Sequence, residues 1–219
     1  MIQMVVFDMA GTTVNENNLV YRTLQQSITE AGFPVSLEQV LTLGAGKEKL
    51  QAVRDILGEG ESESRAVEIH QHFVQRLANA YEQADVSAFA DCEAVFASLR
   101  ERQIKVVLNT GYAQGTAQQL LNILKWEEGQ QIDLLVTADQ VTNSRPHPDM
   151  IHLAMQKMAI SDPASVAKIG DSIIDIEEGK SAACGLTFGV TTGAHSRAQL
   201  ESAQPDYVVD SLSEMMGLL

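Results

Sequence analysis

The chain has few of the residues that cross-link small secreted domains or bind nucleic acid. It contains only 2 cysteines. Cys92 and Cys184 stand far apart among small apolar residues, which predicts free thiols in a reducing compartment rather than a disulfide. Basic residues are also scarce, since 15 lysines and arginines accompany 29 aspartates and glutamates, for a net charge of −14. This charge repels phosphate backbones and anionic lipids, and it argues against nucleic acid and membranes as general partners.

The sequence also lacks any apolar run near the roughly 18 residues that a membrane-spanning helix needs. Its first residues, MIQMVVFD, have no basic segment and reach an aspartate within the first strand-like run, so they predict a buried strand rather than a signal peptide. We therefore expect a cytoplasmic protein. The 219 residues suffice for a sizeable hydrophobic core without a structural metal. A homodimer is compatible with the sequence, which does not decide the oligomeric state.

Short apolar runs alternate with amphipathic segments through most of the chain. This alternation predicts an α/β fold with a parallel sheet flanked by helices. The predicted strands are residues 4–7, 104–108, 134–136, 166–169, 186–190 and 207–209. The helices predicted between them are residues 93–102, 115–124, 149–158, 175–183 and 195–203.

One region interrupts the alternation of strands and helices. Between residues 16 and 83 only helical periodicity is found, in residues 20–31, 37–41, 47–57 and 65–83. We interpret residues 16–83 as a helical cap domain over the carboxyl-terminal edge of the sheet. The catalytic core then comprises residues 1–15 and 84–219.

Polar side chains follow the predicted strands, at the edge where open parallel sheets bind their ligands. In chain order they are Asp8, Thr110 with Gly111, Arg145, and Asp171 with Asp175. A carboxylate such as Asp8 can attack a phosphoryl group and form an acyl phosphate. Mg²⁺ prefers oxygen ligands, which predicts a metal site formed by Asp8, the Ala10 carbonyl and Asp171. Thr110 and Gly111 are predicted to bind phosphate at a helix start, with Arg145 as a charged partner.

With these residues in this order, the chain resembles the haloacid dehalogenase superfamily over nearly its whole length. Within the superfamily it is similar to the phosphonoacetaldehyde hydrolase (phosphonatase) group. The motifs that carry the similarity are Asp8-Met9-Ala10-Gly11-Thr12-Thr13, Thr110-Gly111-Tyr112, and Arg145 where most members have lysine. The resemblance implies a Rossmann-like core with a C1-type cap, Mg²⁺ as the cofactor and a small phosphonate or phosphate substrate. It also implies supporting roles for Thr12, Tyr112 and Asp175.

Ala10 occupies the position where phosphatases of the superfamily carry a second aspartate. That aspartate protonates the leaving oxygen, a contribution of about 10²–10⁴ in rate that alanine cannot make. The resemblance therefore implies cleavage of the C–P bond of a small 2-oxoalkyl phosphonate, through an aspartyl-phosphate and a Schiff base on a cap lysine. The alternatives are a phosphatase of a small phosphorylated metabolite, a 2-haloacid dehalogenase and a non-catalytic phosphate-binding regulator. The acidic pair Asp171 and Asp175 argues against the dehalogenase, because it would repel a carboxylate substrate.

The cap offers two candidates for the Schiff-base lysine, Lys47 and Lys49. The family pattern of a glycine three residues before the lysine fits Gly44 with Lys47 and also Gly46 with Lys49. We expect Lys47 to form the Schiff base, because an apolar residue precedes its glycine as in the family pattern. The downstream Arg54 fits the pattern better if the lysine is Lys49. Residues two apart on a helix do not share a face, so only one of the two can point into the site. Neither register supplies the histidine that phosphonatases carry three residues after the lysine.

Overall fold

The chain folds around a six-stranded parallel sheet, in a computed structural model that describes all of residues 1–219. The strands of the chain are β1 (Met4–Phe7), β2 (Val14–Asn15), β3 (Ser87–Ala88), β4 (Lys105–Thr110), β5 (Leu134–Thr137), β6 (Val166–Gly170), β7 (Leu186–Val190) and β8 (Tyr207–Val209). The helices are α1 (Leu19–Glu30), α2 (Leu37–Gly44), α3 (Lys49–Leu57), α4 (Glu63–Gln83), α5 (Cys92–Glu101), α6 (Gln114–Leu124), α7 (Asp149–Lys157), α8 (Ile173–Ser181), α9 (Arg197–Ser202) and α10 (Leu212–Met216).

The strand order in the sheet is β5-β4-β1-β6-β7-β8. β1 lies in the middle, where every one of its side chains is buried, which agrees with its uninterrupted apolar sequence MVVF. Its neighbours are β4 on one side and β6 on the other, and both pairings are parallel. The chain therefore reverses its direction of travel across the sheet beside β1, and such a switch point is where open α/β sheets bind their ligands.

The predicted α/β class and all six strands of the sheet are confirmed. The strand ends shift by one or two residues, as with β4, which continues to Thr110. The short antiparallel pair of β2 with β3 was not predicted, because two residues per strand are too few to show a periodicity of two. The short helix α10 was also not predicted from the sequence.

Helices α1 to α4 lie between β2 and β3 in the chain. Side chains from polar residues fix where several of them begin, since Ser36 caps α2, Glu48 caps α3 and Ser62 caps α4. The Glu48 carboxylate accepts hydrogen bonds from the amides of residues 50 and 51, so α3 starts at Lys49 rather than at Lys47 as the periodicity predicted. We refer to residues 16–83 as the cap and to residues 1–15 and 84–219 as the core; that these are two separate domains stays a prediction.

Two expectations from the composition concern cysteine and apolar length. Cys92 and Cys184 are both free, as predicted; Cys92 is buried and Cys184 is half-buried. None of the helices combines the length and apolar character needed to cross a bilayer.

Candidate active site

The three central strands of the sheet end on polar side chains that meet above β1. Asp8 follows β1, Thr110 ends β4 and Asp171 follows β6, and these strands are direct neighbours. The structure thus brings together residues that stand more than a hundred positions apart in the sequence. The parallel order of the strands is the reason, since it places their carboxyl ends at one edge.

Three buried carboxylates form the centre of the site. One oxygen each of Asp8, Asp171 and Asp175 lies within 4.8 Å of the others. Two glycines give Asp171 its room, because a Cβ on Gly11 would lie 2.3 Å from Asp171 Oδ2 and one on Gly193 only 1.9 Å from it. Larger residues at these glycines would therefore displace the carboxylate.

Burial and mutual repulsion set the ionisation of the three acids. Burial, with the charge of Asp175, raises the pKa of Asp8 against the opposing effect of Arg145. Burial and the charges of Asp8 and Asp175 raise the pKa of Asp171 well above its usual range. Asp175 is also buried, but the charges of Arg145 and Lys168 lower its pKa on balance. Of the three acids, Asp171 is therefore the one whose ionised form neighbouring charges stabilise least.

The donor set fits a hard divalent cation. In the core, four buried carboxylates, from Asp8, Asp171, Asp175 and Glu178, outnumber two buried basic side chains, from Arg145 and Lys168. A cation beside Asp8 and Asp171 would relieve the repulsion that raises their pKa values. Oxygen ligands at this spacing are the kind that Mg²⁺ binds. Asp175 is held by Arg145 and Lys168 and is better suited to support the site than to bind metal.

Arg145 lies at the base of the site with its side chain fully buried. Its guanidinium donates to Asp8 Oδ1 at 2.7 Å, to Glu178 at 2.9 Å and to the side chain of Asn109 at 2.6 Å. A weaker bond of 3.3 Å reaches the carbonyl of Gly46 in the cap. In this arrangement Arg145 orients Asp8, and a phosphate oxygen could replace Gly46 as its partner. The predicted phosphate contact of Arg145 stays a prediction.

Three buried polar residues beneath the site had no role in the sequence prediction. Lys168 Nζ bonds Asp175 at 2.9 Å and Asn109 at 2.7 Å, while Asn109 donates to Glu178 at 2.8 Å. A lysine inside the otherwise apolar run VAKI was the available signal, because such a strand buries both faces and a charge there needs partners. Asn109 and Glu178 carried no comparable signal.

The predicted phosphate-binding residues lie beside the acidic cluster. Thr110 Oγ1 accepts the amide of Tyr112 at 3.2 Å, which shapes the turn into α6. The hydroxyl of Thr12 is buried and has no hydrogen-bond partner within the protein. A buried donor without a partner is costly, so Thr12 is a natural contact for a ligand oxygen. Ala10 lies at the turn after β1, and its carbonyl remains a predicted metal ligand.

The two candidate lysines of the cap have opposite surroundings. Lys47 forms an ion pair with Asp55, and the side chains of this pair are each 28% exposed. Lys49 is 6% exposed, and its Nζ lies 5.7 Å from the ring centre of Tyr21 and 5.4 Å from that of Tyr112. Only Lys49 faces the motif residue Tyr112, whereas Lys47 was the lysine expected from the sequence. The reason is the start of α3 at Lys49, which leaves Lys47 in the preceding loop. The identity of the Schiff-base lysine stays a prediction.

Lys49 is also the lysine with a perturbed pKa. Burial lowers the pKa of its amine to about 8, the negative charge of Asp8 opposes this, and the positive charge of Arg145 adds to the lowering. A neutral amine is therefore accessible near physiological pH.

The loop of residues 45–48 between α2 and α3 (the cap loop) packs directly on the core. A Cβ on Gly111 would lie 2.4 Å from the carbonyl oxygen of Lys47, and one on Gly46 would lie 2.3 Å from Ser172 Oγ. Gly46 also has a positive φ of 73°, which other residues rarely adopt. Glycine on both sides of this contact lets the two backbones approach closely.

A polar cleft of about 440 Å³ opens between the cap and the core beside the cap loop. Lys47, Arg54 and Asp55 line it from the cap, and residues 142–147 line it from the core. Arg145 is among the lining residues, although its side chain is fully buried, so the cleft lies directly outside the base of the site.

Comparison with known proteins identifies the family. Residues 5–188 match the family model described as haloacid dehalogenase-like hydrolase. The chain is 28% identical to "Probable phosphatase IndB" of Dickeya dadantii, over 98% of this chain and 92% of that protein. It is 26% identical to a phosphonoacetaldehyde hydrolase of Latilactobacillus sakei, over 100% of this chain and 95% of that protein.

A solved structure shows the same fold. The phosphonoacetaldehyde hydrolase like protein from Oleispira antarctica superposes with a TM-score of 0.87 at 23% identity, over 99% of this chain and 91% of that chain. Together with the family match over most of the sequence, this similarity assigns the chain to the haloacid dehalogenase-like hydrolases.

Proposed function

We propose that this hydrolase cleaves the C–P bond of a small 2-oxoalkyl phosphonate in a Mg²⁺-dependent reaction, with Asp8 as the nucleophile and Lys49 as the Schiff-base residue. The observation that carries the proposal is the placement of Lys49. A buried lysine with a pKa near 8 faces Tyr112, in a chain that has Ala10 in place of the usual general acid. Lys47 is the less favoured candidate because its ammonium is paired with Asp55.

In the proposed reaction, Lys49 and Asp8 act on the substrate in turn. The neutral amine of Lys49 attacks the carbonyl carbon of the substrate, and the adduct takes up a proton from solvent and loses water to form a protonated imine (iminium). A carboxylate oxygen of Asp8 then attacks phosphorus, and the electrons of the C–P bond move to the iminium nitrogen to give an enamine. The enamine takes a proton at carbon, and water hydrolyses the imine and the aspartyl-phosphate. The products are an aldehyde or ketone and inorganic phosphate.

The protein groups around Asp8 prepare it for this attack. Arg145 holds Asp8 Oδ1 at 2.7 Å, and the backbone carbonyl of Asp8 accepts the Thr13 hydroxyl at 3.0 Å. Asp8, Asp171 and the Ala10 carbonyl would hold Mg²⁺, with Asp175 in support. The bound ion would neutralise charge that develops on the phosphoryl oxygens. Thr12, Thr110 and Gly111 are the remaining groups proposed to contact the phosphoryl oxygens.

Borohydride trapping tests the proposal directly. The purified enzyme with Mg²⁺ is incubated with phosphonoacetaldehyde or 2-oxopropylphosphonate, reduced, digested and analysed by peptide mass spectrometry. We expect an adduct on Lys49. Lys49→Arg keeps the positive charge but cannot form an imine, so it should lose trapping and cleavage together. Lys47→Arg is the matched control and should retain both.

Other outcomes would redirect the proposal. An adduct on Lys47 would keep the mechanism and move the imine by two residues. Normal cleavage by both variants would exclude a Schiff base. A phosphatase is the second candidate, supported by the relative from Dickeya dadantii. Hydrolysis of alkyl phosphates without any phosphonate cleavage would favour it.

A further inference from the structure

Glu16 is a buried carboxylate that the chemistry above does not use. It is 4% exposed and lies just before α1. Its Oε2 accepts the amide of Val20 at 2.7 Å and the hydroxyl of Tyr81 at 3.3 Å. The bond to Val20 caps the first turn of α1, whose N-cap residue Asn18 makes no side-chain cap bond. The bond to Tyr81 is not needed for capping.

The contact with Tyr81 extends towards the active site. The hydroxyls of Tyr81 and Tyr112 lie 2.9 Å apart, and both residues are buried. Tyr112 belongs to the predicted phosphate-binding turn, and its ring is one of the two that Lys49 faces. The hydrogen bonds therefore join Glu16 in the cap to Tyr112 in the core, beside the amine proposed to form the imine.

The other end of this chain of hydrogen bonds reaches a water-accessible space. Glu16 lines a polar cavity of about 260 Å³, together with Asn17 and Arg22. Asn17 and Arg22 are exposed, so the cavity opens to solvent at their side. Burial raises the pKa of the Glu16 carboxyl, although the Val20 amide and Tyr81 oppose the shift. A carboxyl group in this place can exchange protons with water.

The reaction needs a proton donor that the usual position does not supply. Ala10 stands where an acid would protonate the leaving group, and the leaving carbon of a phosphonate still requires a proton. We propose that Glu16, acting through the hydroxyls of Tyr81 and Tyr112, relays the proton that the leaving group takes up. This inference rests on the proposed function for its substrate, but the need for a proton applies to an alkyl phosphate as well.

The relay balances without a further reagent. Tyr112 gives its phenolic proton to the enamine carbon and Tyr81 passes its proton to Tyr112. The protonated carboxyl of Glu16 passes its own proton to Tyr81, which reverses the direction of the Glu16–Tyr81 hydrogen bond seen in the structure. Water in the cavity then returns a proton to Glu16. No electrons leave or enter, since the C–P electron pair ends in the new C–H bond after its passage through the iminium. Glu16 is thus a positioning residue, and Tyr112 is the group that touches the substrate.

A double-mutant cycle in the full-length enzyme tests the relay. Glu16→Gln retains an oxygen that can cap Val20 but holds no acidic proton, and Tyr81→Phe removes the link to Tyr112. With phosphonoacetaldehyde, each variant should lower kcat by about 10- to 100-fold. KM and the borohydride trapping of Lys49 should stay within about twofold of the wild type. The double variant should be no slower than the slower single variant, because either change alone already interrupts the relay and the second change removes nothing more.

Two results would overturn the relay. One is a kcat within about twofold of the wild type for both single variants. The other is losses that multiply in the double variant, which would indicate two independent structural effects. Equal melting temperatures of Glu16→Gln and the wild type would show that the hydrogen bond from the Val20 amide, which caps the start of α1, is intact.

Failure of the proposed function has a different signature. If the wild type neither cleaves nor traps phosphonates, the same cycle is measured on an alkyl phosphate and on p-nitrophenyl phosphate. The relay predicts a large loss for the alkyl ester, whose leaving oxygen needs a proton, and a small loss for p-nitrophenyl, which leaves as the anion. Equal losses on both esters would exclude the relay.

Discussion

The core edge and the cap loop face each other across the site, and they treat charge in opposite ways. At the core edge, most buried charges have oppositely charged partners, such as Arg145, which is bonded to Asp8, Glu178 and the side chain of Asn109. On the cap side, Lys49 is buried against two aromatic rings, and its ammonium bonds only a backbone carbonyl, that of Lys47, at 2.5 Å. The core therefore pairs most of its buried ions and leaves Asp171 for a cation, whereas the cap buries an ammonium without a carboxylate partner.

This difference shows how the two sides could divide a reaction. A nucleophile and a metal site need charges that stay in place, which preorganised ion pairs provide. An amine that forms an imine must lose its proton, which burial without a carboxylate partner favours. Variants and conditions that alter the core side or the cap side separately would test this division.

The largest effect is expected from Asp8→Asn on the core side. The amide has nearly the same shape but cannot attack phosphorus, so we expect kcat to fall by about 10³-fold or more. Asp133→Asn is the matched control, since Asp133 precedes β5 at the opposite edge and pairs with Lys105 at 3.1 Å. It should keep its activity. Circular dichroism should show both variants folded, and more than a few per cent of activity in Asp8→Asn would remove Asp8 from its role.

Removal of Mg²⁺ should abolish turnover and also lower stability. The cluster of Asp8, Asp171 and Asp175 is repulsive without a cation. Binding to the folded state alone stabilises it by about 2.7 kcal/mol at a hundred times the dissociation constant. We therefore expect Mg²⁺ to raise the melting temperature of the wild type and not that of Asp171→Asn. Full activity after exhaustive chelation would favour the dehalogenase alternative.

The sequence predicted which residues meet at the core edge more completely than it predicted the position of the cap lysine. Asp8, Thr110, Arg145 and Asp171 could be placed together because each follows its own strand, and parallel strands end at one edge. The cap lysine could not be placed this way. Its position depends on where α3 begins, and the Glu48 cap decides that through two hydrogen bonds that the hydrophobic period does not encode.

The polar groups that connect distant elements were also beyond the sequence. Glu16 and Tyr81 are 65 positions apart, and Asn109 and Glu178 are 69 apart. Each looks like an ordinary residue of its own helix or loop. Their importance comes from burial and partners, which only the packing of the helices on the sheet determines.

The pH dependence of trapping should separate the cap from the core. With its pKa lowered to about 8, Lys49 is mostly protonated below pH 8 and mostly neutral above it. The rate of imine formation should therefore fall about tenfold for each pH unit below 8 and level off above 8. Stopped-flow or quenched borohydride reduction would measure it. A rate that still rises about tenfold per unit up to pH 10 would contradict a buried amine.

Gly111→Ala should disturb the contact between the two sides without removing a charge. The added Cβ would lie 2.4 Å from the Lys47 carbonyl oxygen, so the cap loop must move. We expect kcat/KM to fall about tenfold or more, since displacements near 1 Å can cost about that much. Gly115→Ala is the control. Gly115 lies four residues later, in the first turn of α6, and a Cβ there would meet nothing within 4 Å. Equal activity of the two variants would argue against a closed cap loop as the working state.

The smallest effect is expected from Lys47→Ala. Its ammonium pairs with Asp55, but both side chains are 28% exposed, so water screens the pair and its loss should cost no more than about 1 kcal/mol. Activity should stay within about twofold of the wild type, because the side chain faces the polar cleft and not the aromatic pocket of Lys49. Urea denaturation and steady-state kinetics measure the two effects. A loss of cleavage as large as that of Lys49→Arg would mean that a lysine two residues earlier enters the site, which requires the cap loop to open and α3 to begin at a different residue.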